Sequence, residues 1–339
     1  MKHTHKGNKK LILIISILSV LLLSIFIISF NIGTFAIGPI DVIKTLFGQG
    51  DKKQELVLFT MRLPRIIIAL LVASALAVSG TVLQGITKND LADPGILGIS
   101  SGAALAVVIY IYFMNGKAYS DVNLLTIFTM PIIALFGAGF AAFLIYTLAW
   151  KKGINPTRLI LMGIGINSAF SAILVLFQFR FSTQDFNKIM IWTSGSIWGT
   201  NWNYVIATLP FVFIFTGLII YKARYLDVLS LGDELSVGLG VNIEKERRTL
   251  LIYTVALAGA ATAVAGTIAF LGLISPHIAR KLVGPKHKLL LPTSALVSSI
   301  ILLLSDTIAK NVLAPIEMPV GIVVSIIGVP YFIYLIMKE

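Results

Sequence analysis

Long apolar runs alternate with short polar or charged connections over almost the whole chain. The first is LILIISILSVLLLSIFIISF, residues 11–30. A helix needs roughly 20 apolar residues to cross about 30 Å of hydrocarbon. On that measure the pattern predicts spans at 11–30, 64–86, 94–114, 124–150, 157–179, 203–221, 249–267, 270–283, 291–309 and 318–337. The expected fold is therefore an all-α membrane protein, a polytopic bundle of about ten transmembrane helices. Residues 1–10 form an N-terminal tail and 11–339 a single transmembrane domain.

Residues 249–283 test that count. As one helix they would be about 52 Å long at 1.5 Å per residue, too long for one crossing. A split near Gly266 gives a hairpin whose second arm, about 14 residues, is short enough to be re-entrant rather than spanning. With ten spans and both termini inside, 18 of the 27 Lys and Arg residues lie on the cytoplasmic side and 9 outside. Without the split the ratio is 14 to 13, so the positive-inside rule favours ten.

Composition agrees: 57% of the 339 residues are hydrophobic, 12% are charged, and mean hydropathy is +0.93. The formal net charge of +12 sits in short connections beside spans, where orientation explains it without nucleic acid. There is no cysteine, which excludes disulfides and thiolate metal sites. No paired nucleophile and base, metal-ligand set or row of acidic residues lies within the spans. That argues against an intramembrane enzyme or an ion-coupled carrier.

Three connections carry candidate chemistry. NDLADPGILGISSGAAL, residues 89–105, opens with a turn in which Asp93 suits an N-cap and Pro94 the first helical turn. Small residues follow, which let helices approach closely. In 222–248, Leu231, Leu235 and Leu239 recur every four residues, Ser230 with Asp233 reads as a capping box, and Gly240 suits the C-terminal cap. A short helix with one apolar stripe serves to lie on a membrane or dock on a cytosolic partner. On the other face, Arg62 and Arg65 open the second span and Lys310 follows the ninth; headgroups or an acidic partner would account for them. FNKIMIWTSGSIWGTNWN carries Trp192, Trp198 and Trp202 as an aromatic belt, and the same stretch suits a short interfacial helix at the outer mouth.

RLPRIIIALLVASALAVSGTVLQGITKNDLADPGILGISSGA, MIWTSGSIWG, LGDELSVGLGVN, GTIAFLGLISPHIARKLVGPKHKLLLP and SDTIAKNVLAPIEMPVGIVVSIIGVPYFIYLI, in this order, resemble the iron-siderophore, haem and cobalamin permeases of ABC importers, the FecCD family. The resemblance implies a cobalamin-permease-like subunit in a bacterial cell membrane, paired with an identical or paralogous permease. The further partners implied are two cytosolic ABC ATPase subunits, an extracytoplasmic substrate-binding protein and membrane lipid. It implies an ATPase-coupling helix at Leu231, Gly232, Asp233, Glu234, Leu235, Gly238, Leu239 and Gly240, and binding-protein docking at Arg62, Arg65 and Lys310. A cytoplasmic gate falls on Asn89, Leu91, Asn155 and Thr157; Asp90 and the INP before Thr157 depart from the family pattern. No phosphate-binding G-x-x-x-x-G-K-[ST] is present, so ATP belongs to the ATPase, with no cofactor expected on this chain. The implied substrate is a ferric siderophore, with haem or cobalamin as alternatives.

Overall fold

The computed structural model describes residues 2–31, 37–113, 124–150, 156–314 and 316–338. In chain order the helices are α1 (Lys2–Asn31), α2 (Pro39–Leu46), α3 (Lys52–Glu55), a π-helical stretch (Leu56–Arg62), α4 (Leu63–Thr87), α5 (Ile99–Phe113), α6 (Leu124–Ala149) and α7 (Pro156–Gln178). There follow α8 (Thr183–Thr193), α9 (Trp202–Tyr221), α10 (Ala223–Ser230), α11 (Asp233–Gly238), α12 (Ile243–Ala265), α13 (Leu271–Val283), α14 (His287–Asn311) and α15 (Val320–Lys338). Among the described residues, eight helical segments are long and apolar enough to cross a membrane. The two remaining expected spans, α5 and α13, have 15 and 13 residues, about 22 and 20 Å, and do not reach across alone.

α4 is the axis of the bundle. It is apolar on every side, as a fully enclosed helix must be, and α9, α12, α13 and α14 pack around it. Small residues set those distances: a Cβ on Gly80 would run into the Gly272 carbonyl, so α4 and α13 meet backbone to backbone. α1, α7 and α9 are peripheral and present large apolar side chains outward, including Ile12, Leu161 and Phe213. Outward apolar surface is what a lipid solvent demands, because helices already satisfy their own backbone groups.

The expected hairpin break is present, with Gly266 as the C-cap of α12 at φ +67. The chain returns through 266–270 as non-helical backbone, with Gly266 and Ile268 buried and Ala269 exposed. Ser196 N–H donates to the Ala265 carbonyl (2.8 Å), Gly321 N–H to the Gly195 carbonyl (2.9 Å), and the Thr267 hydroxyl to the Thr193 carbonyl. These bonds join the end of α8, the α12–α13 turn and the start of α15. α8, which includes Trp192, is the short helix expected in the stretch that carries the tryptophans.

Two local expectations are corrected. The helix expected from Pro94 starts at Ile99, because Gly95 and Gly98, the latter at φ +79, keep 94–98 in turns. Asp93 therefore caps a turn, its Oδ1 accepting Gly95 N–H at 2.8 Å. Ser230 is the last residue of α10 and its hydroxyl donates to the Asp227 carbonyl, so it caps nothing. Gly232, at φ +118, occupies the N-cap of α11.

Candidate translocation and coupling surfaces

A half-open cavity of about 510 Å³ lies between α5, α7, the α12–α13 turn and α15. Its walls are mostly apolar, with Leu174, Phe270 and Phe332 among them, and Asp93, Asn167 and Ser171 add sparse polar groups. Small-molecule sites have this character, apolar walls with few fixed polar anchors. α7 contributes its outward face: Ser171 and Val175 both line the cavity and are exposed.

Asp93 closes the inner end of this wall. It is 4% exposed, and Gly272 lies so close that a Cβ there would stand 2.7 Å from Oδ2. Burial pushes its carboxyl up to about 6, against the opposing pull of the Gly95 and Ile96 backbone N–H groups.

The expected gate residues fall on two elements. Asn89 Oδ1 accepts Leu91 N–H (2.8 Å) and the Asn89 carbonyl accepts Ala92 N–H (3.1 Å), which closes a tight turn after α4. Asp90 projects from it to an ion pair with Arg280 of α13, and Arg280 also donates to Gln84 (3.2 Å). Thr157 is exposed in the first turn of α7, and Asn155 lies outside the described residues. The turn is thus held to α13 by the Asp90–Arg280 pair, and through Arg280 to Gln84 of α4.

At the opposite end, Arg65 donates to Asp306 Oδ1 through Nε (3.0 Å) and Nη2 (2.8 Å), and to Glu317 through Nη1 (2.6 Å). Lys310 Nζ lies 2.6 Å from Asp306 Oδ2, and Asp306 is fully buried. Arg62, also buried, donates to the Phe30 carbonyl. The three cations expected to face a partner are therefore mostly turned inward. Charge at a bundle end is tolerated when paired, and removing one partner of a buried pair is strongly destabilising. Glu317 is the network's most accessible member, at 25%.

The segment expected to couple to an ATPase is fastened at several points. Asp233 in the first turn of α11 accepts from Lys88 after α4 (2.7 Å) and from Arg247 of α12 (2.7 and 3.1 Å). Burial raises its carboxyl somewhat, and the hydrogen bonds and charges of Lys88 and Arg247 outweigh this and hold it below the ordinary value. Ser236 is buried, its hydroxyl against the Gly232 and Val228 carbonyls. α11 ends in a Schellman motif, with Val241 N–H on the Ser236 carbonyl, Gly240 N–H on the Val237 carbonyl, and Gly240 at φ +77. With its polar side fastened, α11 and the residues flanking it display Leu231, Leu235, Val237 and Leu239 outward, each more than half exposed, with Glu234 exposed beside them. Asp227 of α10 meanwhile accepts from His287 N–H at 2.8 Å, so the segment is also tied to α14.

The partners in these networks, Lys88, Arg247, Arg280, Asp306 and Glu317, escape a reading along the chain. Their sole advance signal is unlike charge in connections that the span order brings to one end.

The profile of the FecCD transport family matches residues 21–338. The chain belongs to that family. Over 333 residues, 98% of each chain, this FecCD member is 53% identical to the iron(3+)-hydroxamate import system permease protein FhuG of Bacillus subtilis (strain 168). It is 40% identical over 280 residues, 82% of each, to the hemin transport system permease protein HmuU of Yersinia pestis. Among solved structures it is similar to a metal-chelate type ABC transporter in an inward-facing conformation. There the TM-score is 0.82 at 31% identity, covering 95% of this chain and 98% of the other.

Proposed function

We propose that this FecCD-family chain is the membrane-spanning subunit of an ABC importer that carries a ferric siderophore of the hydroxamate class into the cytoplasm. One observation carries the reading: the end-to-end 53% identity to a hydroxamate permease. A mostly apolar cavity wall supports it, since such a wall guides a bulky, already wrapped chelate without gripping it.

In this reading the α11 end and both termini are cytoplasmic. α11 inserts its leucine stripe into a separate ATPase subunit, where ATP is hydrolysed. Its ties to Lys88 and Arg247 transmit nucleotide-driven motion to α4 and α12. A second permease, identical or paralogous, completes the path across the half-open cavity, and Asn89, Leu91, Asn155 and Thr157 close its cytoplasmic end. A substrate-binding protein docks on the end that carries Arg62, Arg65 and Lys310. Because Asp306 and Glu317 already neutralise Arg65 and Lys310, acidic side chains of that protein act by exchange with the partly exposed Glu317.

The test is uptake of radioactive iron, given as a ferric trihydroxamate or as haem, in a strain lacking the gene and in the complemented strain. Loss and restoration of trihydroxamate uptake alone is the expected result. Loss of haem uptake instead would overturn the substrate assignment.

A further inference from the structure

A second pocket of about 450 Å³ lies at the α11 end, where α9 passes into α10 beside the first turn of α14. It is lined by Ile220, Tyr221, Ala223, Arg224, Tyr225 and Lys288. Two cations and no carboxylate line it. Among the described residues neither Arg224 nor Lys288 makes an ion pair, although Asp227 lies on the same helix as Arg224 and Glu246 of α12 reaches Lys222 just before it. Those acids are engaged elsewhere: Glu246 by Lys222 at 2.5 Å and Asp227 by His287 at 2.7 Å. Lys222 also stands 4.9 Å from the centre of the Tyr225 ring, which holds that ring in the pocket wall.

The position of the pocket selects its occupant. α9 is peripheral, and Ile206, Phe213, Ile214, Ile220 and Tyr221 form an outward apolar surface down its length. Gly217 leaves open space on the helix between them. That surface runs directly into the pocket, and Tyr221, 81% exposed, stands at the boundary where an amphipathic ring favours the headgroup level. A ligand that fits must carry a negative headgroup for Arg224 and Lys288 and a long apolar tail for α9. Basic pockets between transmembrane helices on the cytoplasmic side suit phospholipid headgroups, and Arg pairs with phosphate bidentately.

We infer that the pocket between the α9–α10 junction and the start of α14 binds one anionic phospholipid, its phosphate between Arg224 and Lys288 and an acyl chain along the outward face of α9. The lipid would fasten α10, and with it the segment that carries α11, to the bilayer.

The test is native mass spectrometry of the intact permease complex, purified into nanodiscs of equal phosphatidylglycerol and phosphatidylcholine. One phosphatidylglycerol retained per chain is expected, with phosphatidylcholine not retained. Arg224→Gln with Lys288→Gln should lower that retention by roughly tenfold or more, since each surface cation adds measurably to anionic lipid attraction. Arg224→Lys, which keeps the charge on an exposed side chain, should retain the lipid. Lys52→Gln with Lys53→Gln, exposed at the opposite end, should leave it unchanged. Equal retention of both lipids, or undiminished retention by the double glutamine variant, would overturn the inference. Displacement of the lipid by inorganic phosphate would also overturn it, in favour of a free-anion site. The readout is bound lipid, so it stands or falls separately from the transported substrate.

Discussion

Asp233 ties the expected coupling segment to two other elements, because it accepts from both Lys88 and Arg247. Asp233→Ala is expected to loosen α11: amides of 231–240 should exchange hydrogen faster, and iron uptake should fall at unchanged membrane level. Slow exchange retained in the variant would assign the rigidity to Ser236 and the Schellman turn instead. Since the folded carboxyl lies below its ordinary value of 3.8, its contribution is complete above that value and is lost as pH falls through the lower folded one. Asp93 has the opposite sign. Its carboxyl at about 6 binds a proton more readily in the folded chain, so the associated stability is present below 3.8 and lost as pH rises to about 6. The span of roughly two units corresponds to about 3 kcal/mol. The thermal midpoint should therefore fall between about pH 4 and 6.5 more in wild type than in Asp93→Asn, whose amide oxygen still accepts from Gly95. An equal fall in both would remove Asp93 from the account. Both aspartates stood out in the sequence as caps. The distant pairings did not stand out, because Lys88 lies 145 residues from Asp233, Asp306 lies 241 from Arg65, and Arg280 lies 190 from Asp90.

Helices were legible where length and hydropathy decide alone. The break at Gly266 followed from a run too long for one crossing, and the structure places the α12 C-cap there. The start of α5 was misplaced because Pro94 after Asp93 has every mark of a first turn, whereas Gly98 needs the left-handed region. The α10–α11 junction was likewise hidden: a leucine every fourth residue reads as continuous helix, and Gly232 at φ +118 breaks it. Glycine spacing in spans reads as packing without naming the partner helix, and this gives a paired test. Gly80→Ala must push α4 from α13 and should destabilise the chain by about 1–3 kcal/mol, as overpacking does. Gly217→Ala, in open space within α9, should be neutral or stabilise by roughly 0.5–1 kcal/mol. Thermal unfolding in detergent compares the two, and equal effects would mean that the α4–α13 contact is not tight. For α11, Leu235→Glu places a charge on an exposed stripe at little cost to folding, yet it should abolish co-purification of the ATPase. Full co-purification would exclude the stripe as the docking surface.

At the scale of the whole molecule, an apolar exterior and an apolar cavity wall look alike in a sequence, which is why Ser171 and Val175 were not singled out. What separates them is what lies opposite: lipid for α9, and the space closed by Phe270 and Phe332 for α7. The difference is measurable because the chain has no cysteine, so a single introduced thiol reports without background. Val175→Cys, 46% exposed on the cavity wall, is compared with Phe213→Cys, 79% exposed on the outward face of α9. A charged maleimide reacts with a hydrated thiolate, and a thiol facing hydrocarbon stays protonated and inert. In the assembled transporter Val175→Cys should therefore label faster. If the cavity wall is the translocation path, adding the loaded binding protein with ATP should change the rate at Val175 and leave Phe213 as it was. If the two sites label alike, or Val175 ignores substrate, the cavity is a lipid-filled groove and the translocation path must lie on another face of α7.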